Sequence, residues 1–253
     1  VHPTSAPWGG CLGVVAEALS LHCANHRDLQ SILDEEGIDK VDGVLLDLGL
    51  SSLQVDDPNR GFSYLRDGPL DMRMGPDAPR TAAQLLNEES EREIARILYV
   101  YGEERWARRI ARFIVEARER RPIQTTQELV RVIKDAVPAS ARRGRKHPAR
   151  RTFQALRIAV NGELDGLREA MSTGIERLAP SGRMVVLSYQ SLEDRLVKST
   201  FSSLAGGTGH PPGTPFQPCV ELLTTRPVTP GEDEIKRNPR SRSARLRAVR
   251  KVA

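Results

Sequence analysis

The chain has 253 residues, enough for a substantial core in one large domain or in one domain with an insertion. Its 38 Lys and Arg against 33 Asp and Glu give a net charge of +5, and no apolar run approaches the about 18 residues of a membrane helix. The three cysteines form no CxxC pair and the five histidines show no metal-ligand spacing, so neither a disulfide framework nor a metal site is predicted. Since no apolar run is long enough, no membrane partner is predicted either. Because the first residues lack a secretory signal pattern, the sequence predicts a cytoplasmic protein.

The first predicted element is a buried strand at Val41–Asp47, a short apolar run that ends in an acid. In open α/β sheets, ligands bind at the carboxyl ends of the strands. Asp47 is therefore a candidate polar anchor for a cofactor, and Gly49 allows a ligand to approach the backbone closely. A turn-forming or helix-capping role explains such an Asp equally well.

Residues 60–74 contain many turn formers and little periodicity, which predicts a long irregular loop. The loop carries Phe62, Tyr64, Leu70 and two Met, too much apolar matter for disorder. We interpret it as a lid or a substrate-facing loop. The alternative is an ordered Ω-loop with a structural role.

From Thr81 to Ala136 the hydrophobic pattern is helical, with no convincing strand. One of the predicted helices opens with Thr125-Thr126-Gln127-Glu128, a capping box in which Thr125 and Glu128 satisfy free backbone N–H groups. A helical block thus interrupts an α/β domain.

Two basic clusters follow in the second half of the chain. Six of the ten residues Arg142 to Arg151 are Lys or Arg, and residues 236–251 repeat Arg at short intervals. Arginine presents a planar fork of donors and each phosphate contact releases counterions, so two clusters favour a nucleic-acid partner. A solvated face or a disordered tail is the alternative. His147 lacks a nearby orienting carboxylate in sequence, so it is not expected to be a general base.

A long amphipathic helix over residues 153–171 and a second buried strand at Arg183–Tyr189 restore the helix-then-strand order of a doubly wound α/β fold. The carboxyl end of this strand should also face a ligand. Beyond Gly206, a Gly/Pro-rich stretch leads to one predicted strand at residues 220–225. The basic segment that follows is predicted to be mobile.

Several blocks of the sequence resemble, in the same order, the signature segments of the MraW/RsmH family. They are DLGLSSLQ at 47–54, RGFS at 60–63, DGPLDMRM at 67–74, YGEER at 101–105 and RTFQALRI at 151–158, extended by SLEDR at 191–195 and NPRSRSA at 238–244. The resemblance covers nearly everything from about Leu29 onward.

The resemblance implies a Rossmann-like class I methyltransferase of the α/β class with an inserted all-helical domain. Residues 1–58 and 152–253 would form the methyltransferase domain, and residues 59–151 the inserted loop and helical substrate-recognition domain. The implied cofactor is S-adenosyl-L-methionine, and the implied reaction is methylation of the exocyclic N4 of a cytosine in small-subunit (16S) ribosomal RNA. The implied partner is that RNA or the 30S particle.

The candidate cofactor-binding residues follow from motif position, and the other candidates from the strand ends, the irregular loop and the basic clusters. Asp47 and Gln54 correspond to family residues that contact the cofactor, and His26 falls where the family has a Phe beside the adenine. The candidate substrate-binding residues are Phe62, Tyr64, Arg145, Lys146, His147, Arg151 and Arg195. The candidate hydrogen-bond acceptors for the cytosine amino group are Ser51, Ser52, Ser188 and Ser191.

Three departures from the family pattern bear on activity. Family members begin with a strand and a glycine-rich loop resembling GTFGxGGH, followed by a strand that ends in an acid for the ribose hydroxyls. Because neither segment is read here, we expect an N-terminally truncated or frame-shifted chain that is poorly soluble and inactive. A catalytically inactive remnant that still binds ribosomal RNA is the alternative function. Tyr189-Gln190-Ser191 stands where the family reads Phe-His-Ser, and Gln190 cannot take up a proton near neutral pH. The absence of an Asp/Ser/Asn-Pro-Pro-Tyr/Phe motif argues against a DNA amino-methyltransferase.

Overall fold

A computed structural model describes residues 19–142, 147–207 and 217–252. The strands in these residues are β1 Val41–Asp47, β2 Leu178–Ser188, β3 Val220–Leu222 and β4 Arg245–Lys251. The helices are α1 Leu29–Glu35, α2 Ser52–Asp56, α3 Ala82–Glu88, α4 Glu91–Gly102, α5 Ala107–Arg120, α6 Thr126–Ala136, α7 Ala139–Arg142, α8 Arg150–Asn161, α9 Glu163–Arg177, α10 Ser191–Leu204 and α11 Glu232–Arg237. Short 3-10 helices lie at His26–Asp28, Pro58–Arg60 and Pro239–Ser243.

The strands form one mixed sheet in the order β1-β2-β4-β3. β1 and β2 are parallel, and Asp47 pairs with Leu187, so the carboxyl ends of the two strands lie side by side. The strand predicted at Val41–Asp47 is confirmed as β1, but the prediction that it is buried is wrong. Within the described residues β1 pairs on one side alone, none of its residues is buried, and Leu45 is 66% exposed. The pairing of β1 with β2 is irregular at residues 179–182, because Val41 pairs with Leu178 and Gly43 already pairs with Arg183.

The prediction of a mobile basic tail is wrong. Residues 245–251 form β4, which lies inside the sheet and pairs antiparallel with both β2 and β3. The basic composition concealed the strand, because Arg247 is 7% exposed and its charge is neutralised by the carboxylate of Asp194, 2.7 Å away. The strand predicted at residues 220–225 is confirmed over its first half, as β3.

The prediction of one long helix over residues 153–171 is also wrong, because two helices, α8 and α9, meet at Gly162. Gly162 has a left-handed backbone with φ 60°, which ends α8 and turns the chain into α9. Glycine adopts this conformation without the steric cost that a Cβ brings. The amphipathic pattern continued across the break because both helices bury one face.

Two separate clusters of buried apolar side chains hold these elements together. The first draws on α3 to α6, α8 and the loop before α3, and it reaches from Phe62 to Val160. The second lies between the sheet and the helices α9 and α10. The helices predicted between Thr81 and Ala136 are confirmed, as is the capping box, in which Thr125 Oγ1 accepts from Glu128 N at 3.3 Å. The predicted division into domains at residue 151 stays a prediction; α8 spans it and packs into the first cluster.

Candidate functional site

A cleft of about 890 Å³ opens where β1 and β2 end. Its walls come from the turn after β1 with α2, from the loop before α3, from α8, from the start of α10, and from residues 238–245. The strand ends and the first core therefore lie on opposite sides of one cleft with mixed polar and apolar walls. This position agrees with the rule that α/β sheets bind ligands at the carboxyl ends of their strands.

Tyr189 joins this cleft to the end of β1. Its ring lines the cleft, and its hydroxyl donates a hydrogen bond to Asp47 Oδ1 at 3.0 Å. Burial and the nearby Asp47 carboxylate both raise the pKa of Tyr189, so the phenol stays protonated and keeps donating. Asp47 itself is exposed, and its carboxylate is held in one orientation by this bond.

The turn after β1 is built around a capping box at the start of α2. Ser51 Oγ accepts from Gln54 N at 3.2 Å, and Gln54 Oε1 accepts from Ser51 N at 3.0 Å. The Gln54 amide nitrogen makes no hydrogen bond in the described part of the chain, so it remains a free donor. Gly49 has φ 97°, a backbone that favours glycine.

A network of charged side chains supports the floor of the cleft. Arg157 donates two hydrogen bonds of 2.8 Å to Glu163, and it lies 4.0 Å from Glu193. Glu193 in turn accepts from the backbone N–H groups of Tyr189 at 3.1 Å and Gln190 at 3.3 Å. Burial raises the pKa of Glu163, although the Arg157 guanidinium opposes this shift. The network fixes the segment that carries Tyr189 and Gln190.

The four predicted serine acceptors divide into two pairs. Ser52 and Ser191 line the cleft. Ser51 is occupied in capping α2, and the hydroxyl of buried Ser188 donates to the backbone carbonyl of Arg245 at 3.4 Å. The structure therefore brings two of the four to the candidate substrate position.

Aromatic residues from two distant segments meet on one wall. Phe62, Tyr64 and Phe153 line the cleft. The Tyr64 ring stacks on His147 with centroids 4.7 Å apart, and it meets Phe153 edge-on at 5.7 Å. Burial, helped by nearby Lys134, lowers the pKa of His147, so its ring is uncharged near neutral pH.

The loop that carries Phe62 and Tyr64 is ordered rather than a free lid. Leu70 and Met72 are 1% and 0% exposed in the first core. Asn161 fixes the loop to α8, since its amide donates to Met72 O at 2.8 Å and its oxygen accepts from Met74 N at 2.7 Å. The inner side of the loop is therefore packed as expected for an ordered loop with a structural role. Phe62 and Tyr64, on the same loop, line the cleft.

Most predicted phosphate-binding arginines are engaged within the protein. Arg151 donates to the backbone carbonyl of Glu103 at 2.9 Å, and Arg195 to its carboxylate at 2.8 Å. In the C-terminal cluster the ion pairs are Arg240 with Asp56, Arg245 and Arg247 with Asp194, and Arg250 with Glu221. Arg150 and Arg242 line the cleft without a carboxylate partner among the described residues. Arg145 and Lys146 lie outside the described residues.

His26 does not line the cleft. It lies in the 3-10 helix before α1 and packs on α9, where a Cβ added at Gly166 would come 3.2 Å from its Nε2. Burial lowers the pKa of His26. Its assignment to the adenine side of a cofactor stays a prediction. Among the described residues, no group of three or more His, Cys, Asp and Glu is placed to hold a metal ion. No helix in this part of the chain has the length and apolar character to cross a membrane.

Sequence reasoning missed the Tyr189 to Asp47 bond and the network of Arg157, Glu163 and Glu193. Each joins residues whose proximity depends on the fold, as in the 142 positions that separate Asp47 from Tyr189. A weak signal was present, because Arg157 and Glu193 lie inside the RTFQALRI and SLEDR blocks.

The sheet and the cleft define an α/β protein with a candidate ligand site at the carboxyl ends of two parallel strands. Residues 11–252 match the model of the MraW methylase family, and the chain belongs to this family. It is 51% identical over 243 residues to a protein of Heliobacterium mobile, covering 94% of this chain and 78% of the relative. Relatives from Pelobacter propionicus, 52% identical over 93% of this chain and 77% of their own, and Geotalea uraniireducens, 51% identical over 98% and 78%, are also similar. All three are named ribosomal RNA small subunit methyltransferase H.

Proposed function

We propose that this chain transfers a methyl group from S-adenosyl-L-methionine to the exocyclic N4 of a cytosine in small-subunit ribosomal RNA. The observation that carries the proposal is the cleft at the ends of β1 and β2 in a member of the MraW methylase family. The names of the similar proteins support the choice of RNA. The choice of the cytosine N4 atom as the methyl acceptor rests on the resemblance to the family.

The residues at the end of β1 fit such a cofactor. Asp47 offers an exposed carboxylate that can accept from amino or hydroxyl groups, and Gln54 offers a free amide donor. Gly49 leaves the backbone open to close approach. These three residues would hold the cofactor, and when bound it supplies an electrophilic methyl group. Tyr189 fixes the Asp47 carboxylate before the cofactor binds, which lowers the conformational entropy that this side chain loses on binding.

The cleft must overcome the weak nucleophilicity of a cytosine amino group, whose lone pair is delocalised into the ring. Ser52 and Ser191 line the cleft, and their hydroxyl oxygens can accept the amino hydrogens and turn the lone pair toward the methyl carbon. Alignment of nitrogen and carbon is the main requirement, so no strong base is needed and the proton is lost to water after transfer. Gln190 in place of a histidine is compatible with this chemistry.

The aromatic wall suits a base that has left its stack. Enzymes that modify a base extrude it and hold it between apolar or aromatic side chains. Tyr64, braced by His147 and Phe153, offers such a ring at the cleft. Arg150 and Arg242 line the same opening and are free to contact the flanking phosphates.

Methyl transfer with labelled cofactor tests this function, with Asp47→Asn as the informative variant. The sequence alone predicts an inactive chain, but the match of residues 11–252 to the family model favours the opposite outcome. We therefore expect the wild-type chain to label small-subunit RNA, with the label recovered as N4-methylcytidine after nuclease digestion. Asp47→Asn should bind the cofactor at least about tenfold more weakly, since a hydrogen bond to a charged group contributes about 1.5 to 3 kcal/mol. Calorimetric titration of S-adenosyl-L-methionine measures this directly.

Asp42→Asn is the matched control, because Asp42 is exposed at the other end of the same strand. It should bind the cofactor as the wild type does. Equal affinities for the two variants would remove Asp47 from the cofactor site. A wild-type chain that binds the RNA but neither binds nor uses the cofactor would establish the inactive RNA-binding alternative instead.

A further inference from the structure

Four exposed arginines lie at the start of α5 on the surface of the first core: Arg105 just before the helix, and Arg108, Arg109 and Arg112 within it; we call them the arginine face of α5. We propose that it is a second RNA-binding surface, which holds backbone phosphates of the ribosomal RNA beyond the cleft. The inference rests on the proposed function, because it takes RNA as the substrate. It adds a contact region that neither basic cluster of the sequence includes.

The position of these arginines is unfavourable for the helix itself. Arg108 and Arg109 lie in the first turn of α5, which contains no acidic residue. Cations at this end oppose the positive end of the helix dipole. Like charges four residues apart in the helix, as in Arg108 with Arg112, add about 0.2 to 0.5 kcal/mol of repulsion. Helix stability therefore does not explain the face, whereas a polyanionic partner does.

Three of these guanidinium groups lie over aromatic rings, and three of the four have no carboxylate partner among the described residues. Arg105 lies 5.3 Å from the centroid of Trp106, and Arg109 lies 5.4 Å from that of Phe113. Arg112 shares the Phe113 ring at 5.7 Å and pairs with Glu116 at 3.5 Å. In the described ranges Arg105, Arg108 and Arg109 have no carboxylate partner. Stacking leaves the N–H groups free in the guanidinium plane and reduces the entropy lost on binding.

The arginine face begins at the rim of the cleft. Glu103, two residues before Arg105, accepts hydrogen bonds from Ser191 at 3.3 Å and Arg195 at 2.8 Å. Ser191 lines the cleft, so an RNA strand that leaves it over Glu103 next meets Arg105. Within α5, Arg108 and Arg112 lie about 6 Å apart along the helix axis, given the helical rise of about 1.5 Å per residue. Four of the C-terminal arginines, by contrast, are paired with the carboxylates of Asp56, Asp194 and Glu221.

A triple variant, Arg105→Gln with Arg108→Gln and Arg109→Gln, tests the arginine face. Binding to small-subunit ribosomal RNA is measured across a salt series, together with cofactor affinity and methyl transfer. We expect the slope of log affinity against log salt to fall by about two, at about 0.7 to 0.9 per lost phosphate contact. Affinity at low salt should fall at least tenfold, while cofactor affinity stays unchanged. The matching Arg→Lys triple variant should keep most of the slope, because lysine retains the charge.

The matched control removes the same number of charges elsewhere, with Lys40→Gln, Arg183→Gln and Lys198→Gln, all exposed positions. Its slope should equal that of the wild type. Equal slopes for the two Gln triple variants would overturn the arginine face, as would a Lys triple variant that loses as much as the Gln variant. If the wild type methylates the RNA in those cases, the proposed function stands. A wild type that neither binds nor methylates the RNA overturns both proposals.

Discussion

Replacing Asp194 with alanine is expected to lower the free energy of unfolding by about 3 to 5 kcal/mol, the usual cost of leaving a buried charge without its partner. Asp194 is 6% exposed and Arg247 is 7% exposed. Asp194 Oδ1 accepts from Arg247 Nε, and Oδ2 accepts from Arg245, both at 2.7 Å. The variant leaves the Arg247 guanidinium buried inside the sheet with no opposite charge. Chemical denaturation monitored by circular dichroism measures the difference.

Two further variants show whether burial of the charge is the cause. Glu221→Ala removes an exposed ion pair with Arg250 on the same sheet, and we expect a cost of at most about 1 kcal/mol. The double variant Asp194→Ala with Arg247→Met should recover much of the lost stability, since an apolar replacement of a buried pair is often neutral. A double variant no more stable than Asp194→Ala would show that the carboxylate acts otherwise than by neutralising Arg247.

The same pair predicts a dependence on pH. Burial opposes ionisation of Asp194, but the hydrogen bonds from Arg247 and Arg245 outweigh it and hold its pKa below the ordinary value. A lowered pKa means that this stabilisation is complete above about pH 4, the ordinary value for Asp, and is lost as the pH falls through the lowered value. Between about pH 4 and pH 2, Asp194→Ala should therefore lose less stability than the wild type.

Gly61→Ala is expected to destabilise the cleft wall by about 2 to 5 kcal/mol, as about 1 to 2 kcal/mol of left-handed strain adds to about 1 to 3 kcal/mol of overpacking. Gly61 has φ 72°, and an added Cβ would lie 2.2 Å from Pro69 O and 2.7 Å from Asp71 N. These backbone atoms cannot yield freely, because Leu70 N donates to Gln124 O at 2.9 Å. Since Phe62 follows directly in the cleft wall, RNA affinity should fall with stability.

Two other glycines separate the causes of this effect. Gly75, in the stretch that follows the loop, has nothing within 4 Å of an added Cβ, so Gly75→Ala should change stability by less than about 0.5 kcal/mol. Gly37 has φ 69° and equally open surroundings, so Gly37→Ala isolates the strain alone, at about 1 to 2 kcal/mol. Denaturation midpoints for the three variants give the comparison. Equal costs at Gly61 and Gly37 would show that the loop yields and that the steric contact does not matter.

Features set by local pattern were accessible from the sequence. The position of the strand β1 and the capping box of α6 are confirmed, because both depend on residues that are close in the chain. β4 was missed because its pattern requires a buried arginine, and Arg247 is tolerable there only through Asp194, 53 positions away. The break between α8 and α9 was missed because Gly162 interrupts the backbone without interrupting the apolar stripe.

Some residues of the candidate site could likewise be predicted from local sequence, and others depend on the fold. The position of Asp47 at a strand end followed from the apolar run before it, and Phe62 and Tyr64 were named from the composition of their loop. Which serines face the cleft could not be predicted, because Ser188 and Ser191 are three residues apart and differ in the partner that the fold supplies. The arginine face of α5 was missed because its residues are spread over eight positions and do not form a dense run.

The strand order has a consequence for the nascent chain. β4 joins β2 to β3, yet it is the last of the described elements to be synthesised, and the 56 residues 189–244 separate it from β2. Translation proceeds at about 5 to 20 residues per second, so the edge of β2 that pairs with β4 stays unpaired for roughly 3 to 11 s after β2 is synthesised. The mostly helical first core, complete by residue 160, can fold within milliseconds. During this interval the nascent chain has a folded helical core and an unpaired edge of β2. At this stage the chain is most dependent on chaperones and most prone to incorrect strand pairing.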